Sequence, residues 1–362
     1  MKAAVLNQIP GDLEIVDTHV DKPEPHEVLI RTVAAGLCHS DLHVLEGKLP
    51  GMTPLVMGHE SAGVVEAVGE DVSYVKPGDH VITCLSVFCG HCEQCLSGRP
   101  SICLQSGMEC TRPHDAAPRL SVDGTPAYQF TNLGSFAEEM LIHEHGLVKI
   151  REDMPLDRAA VIGCGITTGT GAVFRTARVR PGSTVAVIGA GGVGLAAIQG
   201  ARIAGANRII AVDMLTPKLE IAKELGATHT VDASAGDPVA QVLELTSGGV
   251  DYSFEAIGLK KTAEQAFGML RSGGTATVIG VISPGVNVEI PGMQFLMEKK
   301  LQGSMMGSNQ FRTDMPRLVD MYMDGRLKLD EMLSAHLTLD QINDGFAAMK
   351  RGEGARQVVD FN

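Results

Sequence analysis

The stretch STVAVIGAGGVGLAAIQGARIAGANRIIAVD, residues 183–213, reads as a strand, a tight glycine turn, a helix and a second strand. Gly189, Gly191 and Gly194 make up its G-A-G-G-V-G turn. The first glycine permits the sharp reversal, and the second lets backbone approach a pyrophosphate. The third lets helix and strand pack closely, while Gly192 and Val193 open a helix whose N-terminus faces the anion. A glycine-rich turn alone is common; the flanking strand and helix give this one a mechanism. Asp213 ends the second strand, nineteen residues after Gly194. A carboxylate there accepts hydrogen bonds from ribose hydroxyls and repels a 2′-phosphate, so NAD is favoured over NADP.

Downstream, "ATHTVDA", "VDYSFEAIG" and "TATVIGV" are short apolar runs, each preceded by a helical stretch. That alternation predicts a doubly wound parallel sheet with crossover helices, an α/β architecture. Upstream of about residue 150 the texture differs. "EVLIRTVAAG", "SAGVVEAVG" and "DHVITCLSV" are separated by turns such as "VKPGD", which suggests a small antiparallel β domain or barrel. Beyond residue 305, Met315, Leu318, Val319 and Tyr322 fall on one helical face, a pattern of core packing. "RQVVDFN" reads as a closing strand that rejoins the N-terminal domain. The expected division is residues 1–165 with 306–362 in one domain and 166–305 in the other.

A chain of 362 residues is long for one core, in keeping with two domains. A formal charge of −13 and no basic stripe argue against nucleic acid as a partner. "MKAAVLNQIPGDLEIVD" has no apolar core of a secretory signal, and no run approaches eighteen apolar residues. The expectation is a cytoplasmic protein without membrane contact. Reducing compartments disfavour disulfides, which shifts clustered cysteines towards metal binding.

Four of the eight cysteines crowd into "CGHCEQCLSGRPSIC": Cys89, Cys92, Cys95 and Cys103. Short two-residue loops bring thiolates together for tetrahedral coordination, by zinc or by an iron–sulfur group. Four thiolates leave no open position, so zinc there is structural. A second set is scattered. "GLCHSDLH" carries Cys38, "GHESAG" carries His59 and Glu60, and "VIGCGITT" carries Cys164. Two cysteines and one histidine make a three-ligand zinc site with a fourth position for water or substrate. Taken singly, each is as readily a buried core residue. Asp41 and Glu60 are candidates for carboxylates that orient the ligands.

These segments, in this order and with "GAGGVG", resemble the zinc-dependent alcohol dehydrogenases of the medium-chain dehydrogenase/reductase family along essentially the whole chain. The resemblance implies a GroES-like β-barrel catalytic domain, a Rossmann domain and an active site in the cleft between. It implies two Zn2+ per chain, catalytic at Cys38, His59 and Cys164, and structural at Cys89, Cys92, Cys95 and Cys103. Glu60 would neighbour the catalytic ion and Asp41 would partner the His59 ring. Ser40 would take the substrate proton and His43 relay it. His39, Thr168, Asp213, Lys218 and Arg356 would contact NAD beside the glycine turn. The implied reaction is oxidation of a primary or secondary alcohol through a zinc alkoxide, with hydride passing to nicotinamide.

Leu85 and Phe136 match pocket walls, and Cys84 and Cys110 match no ligand position. The long stretch Leu104–Leu133 is like that of the often dimeric members, with a homotetramer as the alternative. Two rival readings are a glutathione- or mycothiol-dependent formaldehyde dehydrogenase and a non-catalytic relative. The intact ligand trio argues against the latter, since a scaffold needs no open metal position.

Overall fold

The computed structural model describes residues 1–105, 109–113 and 116–361. It divides into two units. The first comprises Met1–Cys164, Gln310–Gly325 and Met332–Asn362; the second comprises Gly165–Asn309 and Arg326–Glu331.

In the first unit, strands Lys2–Leu6, Glu14–Val20, Leu120–Val122, Thr125–Gln129 and Leu55–Val56 close a small barrel. A second sheet is centred on Glu27–Gly36, the "EVLIRTVAAG" run, which is buried along most of its length. It pairs with Ser61–Val68, with Glu139–His143 and with the closing strand Arg356–Asp360. Val358 opposite Gly36 and Val359 opposite Ala35 set the register that returns the C-terminus to this domain. Ala4, Leu6, Leu37, Met57, Phe136 and Phe346 belong to the main apolar core. Helix Phe311–Met323 buries Met315, Leu318 and Val319, with Tyr322 half-buried at the edge of the predicted face.

The second unit is a six-stranded parallel sheet. Its order is His229–Asp232, Arg208–Asp213, Thr184–Ile188, Val250–Glu255, Leu270–Val278, Lys300–Gly303. Central strands such as Thr184–Ile188 are buried almost throughout, as helices on both faces require. Chain order reverses between Thr184–Ile188 and Val250–Glu255, the place where such sheets open a ligand crevice.

Residues 326–331, expected in the first domain, belong instead to the second unit. Leu327 and Leu329 are buried. Lys328 exchanges two backbone hydrogen bonds of 2.8 Å with the side-chain amide of buried Gln199. Residues 306–309 move with it, where Thr168 Oγ1 donates to Met306 Sδ at 3.3 Å. Of the long stretch Leu104–Leu133, residues 106–108 and 114–115 lie outside the described residues. The remainder includes the two strands that complete the barrel. No helix among the described residues is long and apolar enough to cross a membrane.

Candidate active site

The first unit brings Cys38, His59 and Cys164 together, although 126 positions separate the first from the last; their ligating atoms lie within 4.8 Å of one another, all buried. Cys38 stands at the entrance of helix His39–Leu45, where its amide donates to Asp41 Oδ2 at 3.2 Å. The other oxygen of Asp41 lies 3.0 Å from His59 Nδ1. An ionised carboxylate only accepts, which puts the ring proton on Nδ1. Nε2 of His59 is buried and without a hydrogen-bond partner. Burying such an atom is costly unless a cation takes it. With two cysteine sulfurs beside it, the donor set fits zinc. Cys164 is delivered by a π-helical stretch, Ile162–Ile166, a local widening often found at functional sites. Gly163 permits the approach, since a Cβ there would lie 2.9 Å from the carbonyl oxygen of Thr83.

The electrostatics couple the three groups. A hydrogen bond from Cys164 holds Cys38 well below the usual thiol range; the same bond and burial push Cys164 up. Burial alone would depress His59, but Asp41 and Cys38 together raise it well above its ordinary value. Glu60 is fully buried beside the trio and ion-paired with Arg356. Arg356, matched by resemblance to the pyrophosphate, thus has its guanidinium engaged with a carboxylate in the first unit, and only 6% of it is exposed. Ser40 Oγ lies 3.8 Å from Cys38 Sγ. His43, one turn on, is half-buried; desolvation, with Lys48 nearby, holds its pKa below the usual histidine value. His39 is exposed. Phe136 is fully buried in the core, edge-on to Phe346 at 6.0 Å, rather than a wall. Leu85 packs at the margin of a separate core cluster. Phe130 stands edge-on to the His59 ring at 5.4 Å, a contact that no sequence motif announces.

Cys89, Cys92, Cys95 and Cys103 also converge within 4.8 Å and are free thiols. Three of the sulfur separations are 3.5, 3.8 and 4.0 Å. Four sulfurs about 2.3 Å from one tetrahedral ion stand about 3.8 Å apart, so the quartet fits zinc closely. Disulfide bonds, near 2.05 Å, do not fit. The amides of Cys95 and Leu104 hold the Cys92 thiol down at about 6. Cys84, by contrast, is buried and pushed up to about 12, the setting of an inert thiol.

In the second unit, Gly189 takes a φ of +94° and its amide donates to Val212 O at 2.8 Å. A Cβ on Gly194 would fall 1.7 Å from Gly189 O, whereas one on Gly191 would meet nothing within 4 Å. Packing therefore demands Gly194, while the space beside Gly191 is open for a phosphate. Helix Gly192–Ile203 begins there. Asp213 accepts the amides of Ala190 at 2.7 Å and Leu215 at 3.0 Å, which ties the second strand to the turn. Lys218 is half-buried on helix Thr216–Glu224.

Glu255 is a residue that sequence reasoning passed over. Fully buried at the end of its strand, it accepts the amides of Ile257 and Gly258 and the hydroxyl of Thr262. It thereby holds Ile257 against Gly189, where an added Cβ would meet Ile257 at 2.7 Å. Its position next to the glycine turn, in a strand that otherwise reads as plain core, was the available signal.

Residues 24–152 match the alcohol dehydrogenase GroES-like domain, and residues 192–322 match the zinc-binding dehydrogenase domain. The chain is 39% identical to an alcohol dehydrogenase class-3 of Zea mays, over 99% of this chain and 96% of that protein. It is 38% identical to an S-(hydroxymethyl)glutathione dehydrogenase of Paracoccus denitrificans, over 99% of each. Among solved structures, the benzyl alcohol dehydrogenase of Acinetobacter calcoaceticus superimposes with a TM-score of 0.94 at 33% identity, covering 100% of this chain and 99% of that one.

Proposed function

The chain belongs to the zinc-dependent alcohol dehydrogenases of the medium-chain dehydrogenase/reductase family, and from that premise we propose that it oxidises primary or secondary alcohols reversibly with NAD. The observation that carries this reading is the buried Cys38–His59–Cys164 trio with its unpartnered Nε2. When bound, zinc supplies the Lewis acidity that lowers an alcohol's pKa, and nicotinamide supplies the hydride acceptor. The chain's own residues do the rest. Asp41 orients both Cys38 and His59, so that the ligand geometry is preset. Ser40, beside Cys38, accepts the substrate proton. His43, neutral at pH 7, takes it onward to solvent. The glycine turn and Asp213 hold the pyrophosphate and ribose of NAD.

A second reading is supported by the Paracoccus relative: oxidation of the hemithioacetal of formaldehyde with glutathione, or with mycothiol. NADH formation separates the two readings. On a panel of aliphatic and benzylic alcohols the first predicts turnover without thiol. Strict dependence of formaldehyde oxidation on one thiol, with inert alcohols, would install the second. Cys38→Ser should lose about one zinc per chain and nearly all turnover while still binding NADH, because one of three catalytic ligands is gone. Surviving turnover would remove the trio from the mechanism. A cytoplasmic location and a homodimer, with a homotetramer as alternative, complete the proposal; sedimentation tests the assembly.

A further inference from the structure

A third group of metal-ligating side chains shares no ligand with either zinc site. Cys110, His143 and His145 place their ligating atoms within 4.8 Å of one another. His143 ends strand Glu139–His143, and His145 lies two residues on, in the turn Glu144–Gly146. Cys110 arrives from the segment before Leu120–Val122 and is only 2% exposed.

Hydrogen bonds hold all three in place. His145 donates Nδ1–H to the carbonyl of Phe88 at 2.7 Å and stacks on the Phe88 ring at 4.7 Å and 5°. That bond leaves Nε2 of His145 a lone pair, the arrangement by which ligand histidines are usually oriented. Nδ1 of His143 accepts the amide of His145 at 3.0 Å, so it too is unprotonated. Arg119 fixes Cys110 by donating to its carbonyl at 2.7 Å, and is itself anchored on Glu27 at 2.6 Å.

We infer that Cys110, His143 and His145 form a third cation site, suited to Zn2+ or another borderline-to-soft divalent ion. One thiolate and two imidazoles are such an ion's preferred donors. Tetrahedral bonds of about 2.0–2.3 Å need donors roughly 3.3–3.8 Å apart, an inward movement of about 1 Å. Binding releases the Cys110 thiol proton, which otherwise points to the Phe88 carbonyl with Sγ 3.9 Å away. Arg119 and Arg312 lie nearby, Arg312 over the Phe88 ring at 5.4 Å, so the site binds more weakly than the two zinc sites. Phe88 directly precedes Cys89, which makes this site a neighbour of the structural quartet.

The test is a metal count on purified holoenzyme. Protein carrying two zincs per chain is dialysed against graded Zn2+, and separately Co2+ is added to report thiolate ligation by its charge-transfer absorption. The wild type takes up a third equivalent with a cobalt–thiolate band. Cys110→Ser and His145→Gln stop at two and lack the band. Saturation of the wild type at two equivalents overturns the inference, as does a third equivalent retained by His145→Gln. Should Cys110→Ser fall below two zincs through misfolding, His145→Gln decides by the same count.

Discussion

Asp41 shows how one side chain can preset a metal site. Its two oxygens engage the Cys38 amide and the His59 ring, so helix start and ligand orientation are the same interaction. Glu60 and Arg356 are the counterpart in charge, a pair buried at 0% and 6% exposure. Removing either member breaks a buried ion pair. Arg356→Leu is expected to lower stability by about 3–5 kcal/mol in urea unfolding. Adding Glu60→Gln should restore part of that loss, because the buried carboxylate's charge is gone. An Arg356→Leu protein as stable as the wild type would show that Glu60 finds another partner.

Among the elements, the glycine turn is the most constrained. Gly194→Ala forces a Cβ into the Gly189 carbonyl, which must shift and distort the turn. NADH binding, followed by fluorescence, should weaken at least about tenfold, equivalent to ~1.4 kcal/mol and within the usual range for overpacking. Zinc content should not change; loss of zinc as well would mean general misfolding. Strand Glu27–Gly36 supplies a different test. Burial would raise the pKa of Glu27, but hydrogen bonds and charge from Arg112 and Arg119 hold it below the usual carboxylate range. A depressed carboxyl contributes stability in full above its unfolded value near ~4.3, and loses it as pH falls through the folded value. Urea midpoints should therefore decline as pH drops from about 5 towards 3. Glu27→Gln should flatten that decline and lower the midpoint at pH 7. A variant with the wild-type slope would place the acid sensitivity elsewhere.

Across the whole molecule, the cysteine quartet is the feature with the widest consequence for stability. Its sulfurs are spaced for one ion, so metal binding there contributes folding free energy. Exhaustive chelation should lower the calorimetric midpoint of the first unit; even ~2 kcal/mol corresponds to about 4–8 °C at this size. An unchanged midpoint would deny the quartet a structural role. The parallel sheet, the glycine turn and the quartet were legible in the chain because each depends on short spacings: period, turn chemistry, two-residue loops. The closing strand was legible too, as a short β-branched run with too little chain after it to stand alone. The return of residues 326–331 to the second unit was not, since it rests on Gln199 meeting a backbone 129 positions away. Nor were the burial of Phe136, the Phe130–His59 contact or the ion pair of Arg356 with Glu60. Local chemistry is written in neighbouring residues and survives in any conformation that keeps them close. Which distant side chains share a buried volume, and which charges must therefore pair, is settled only when the chain packs.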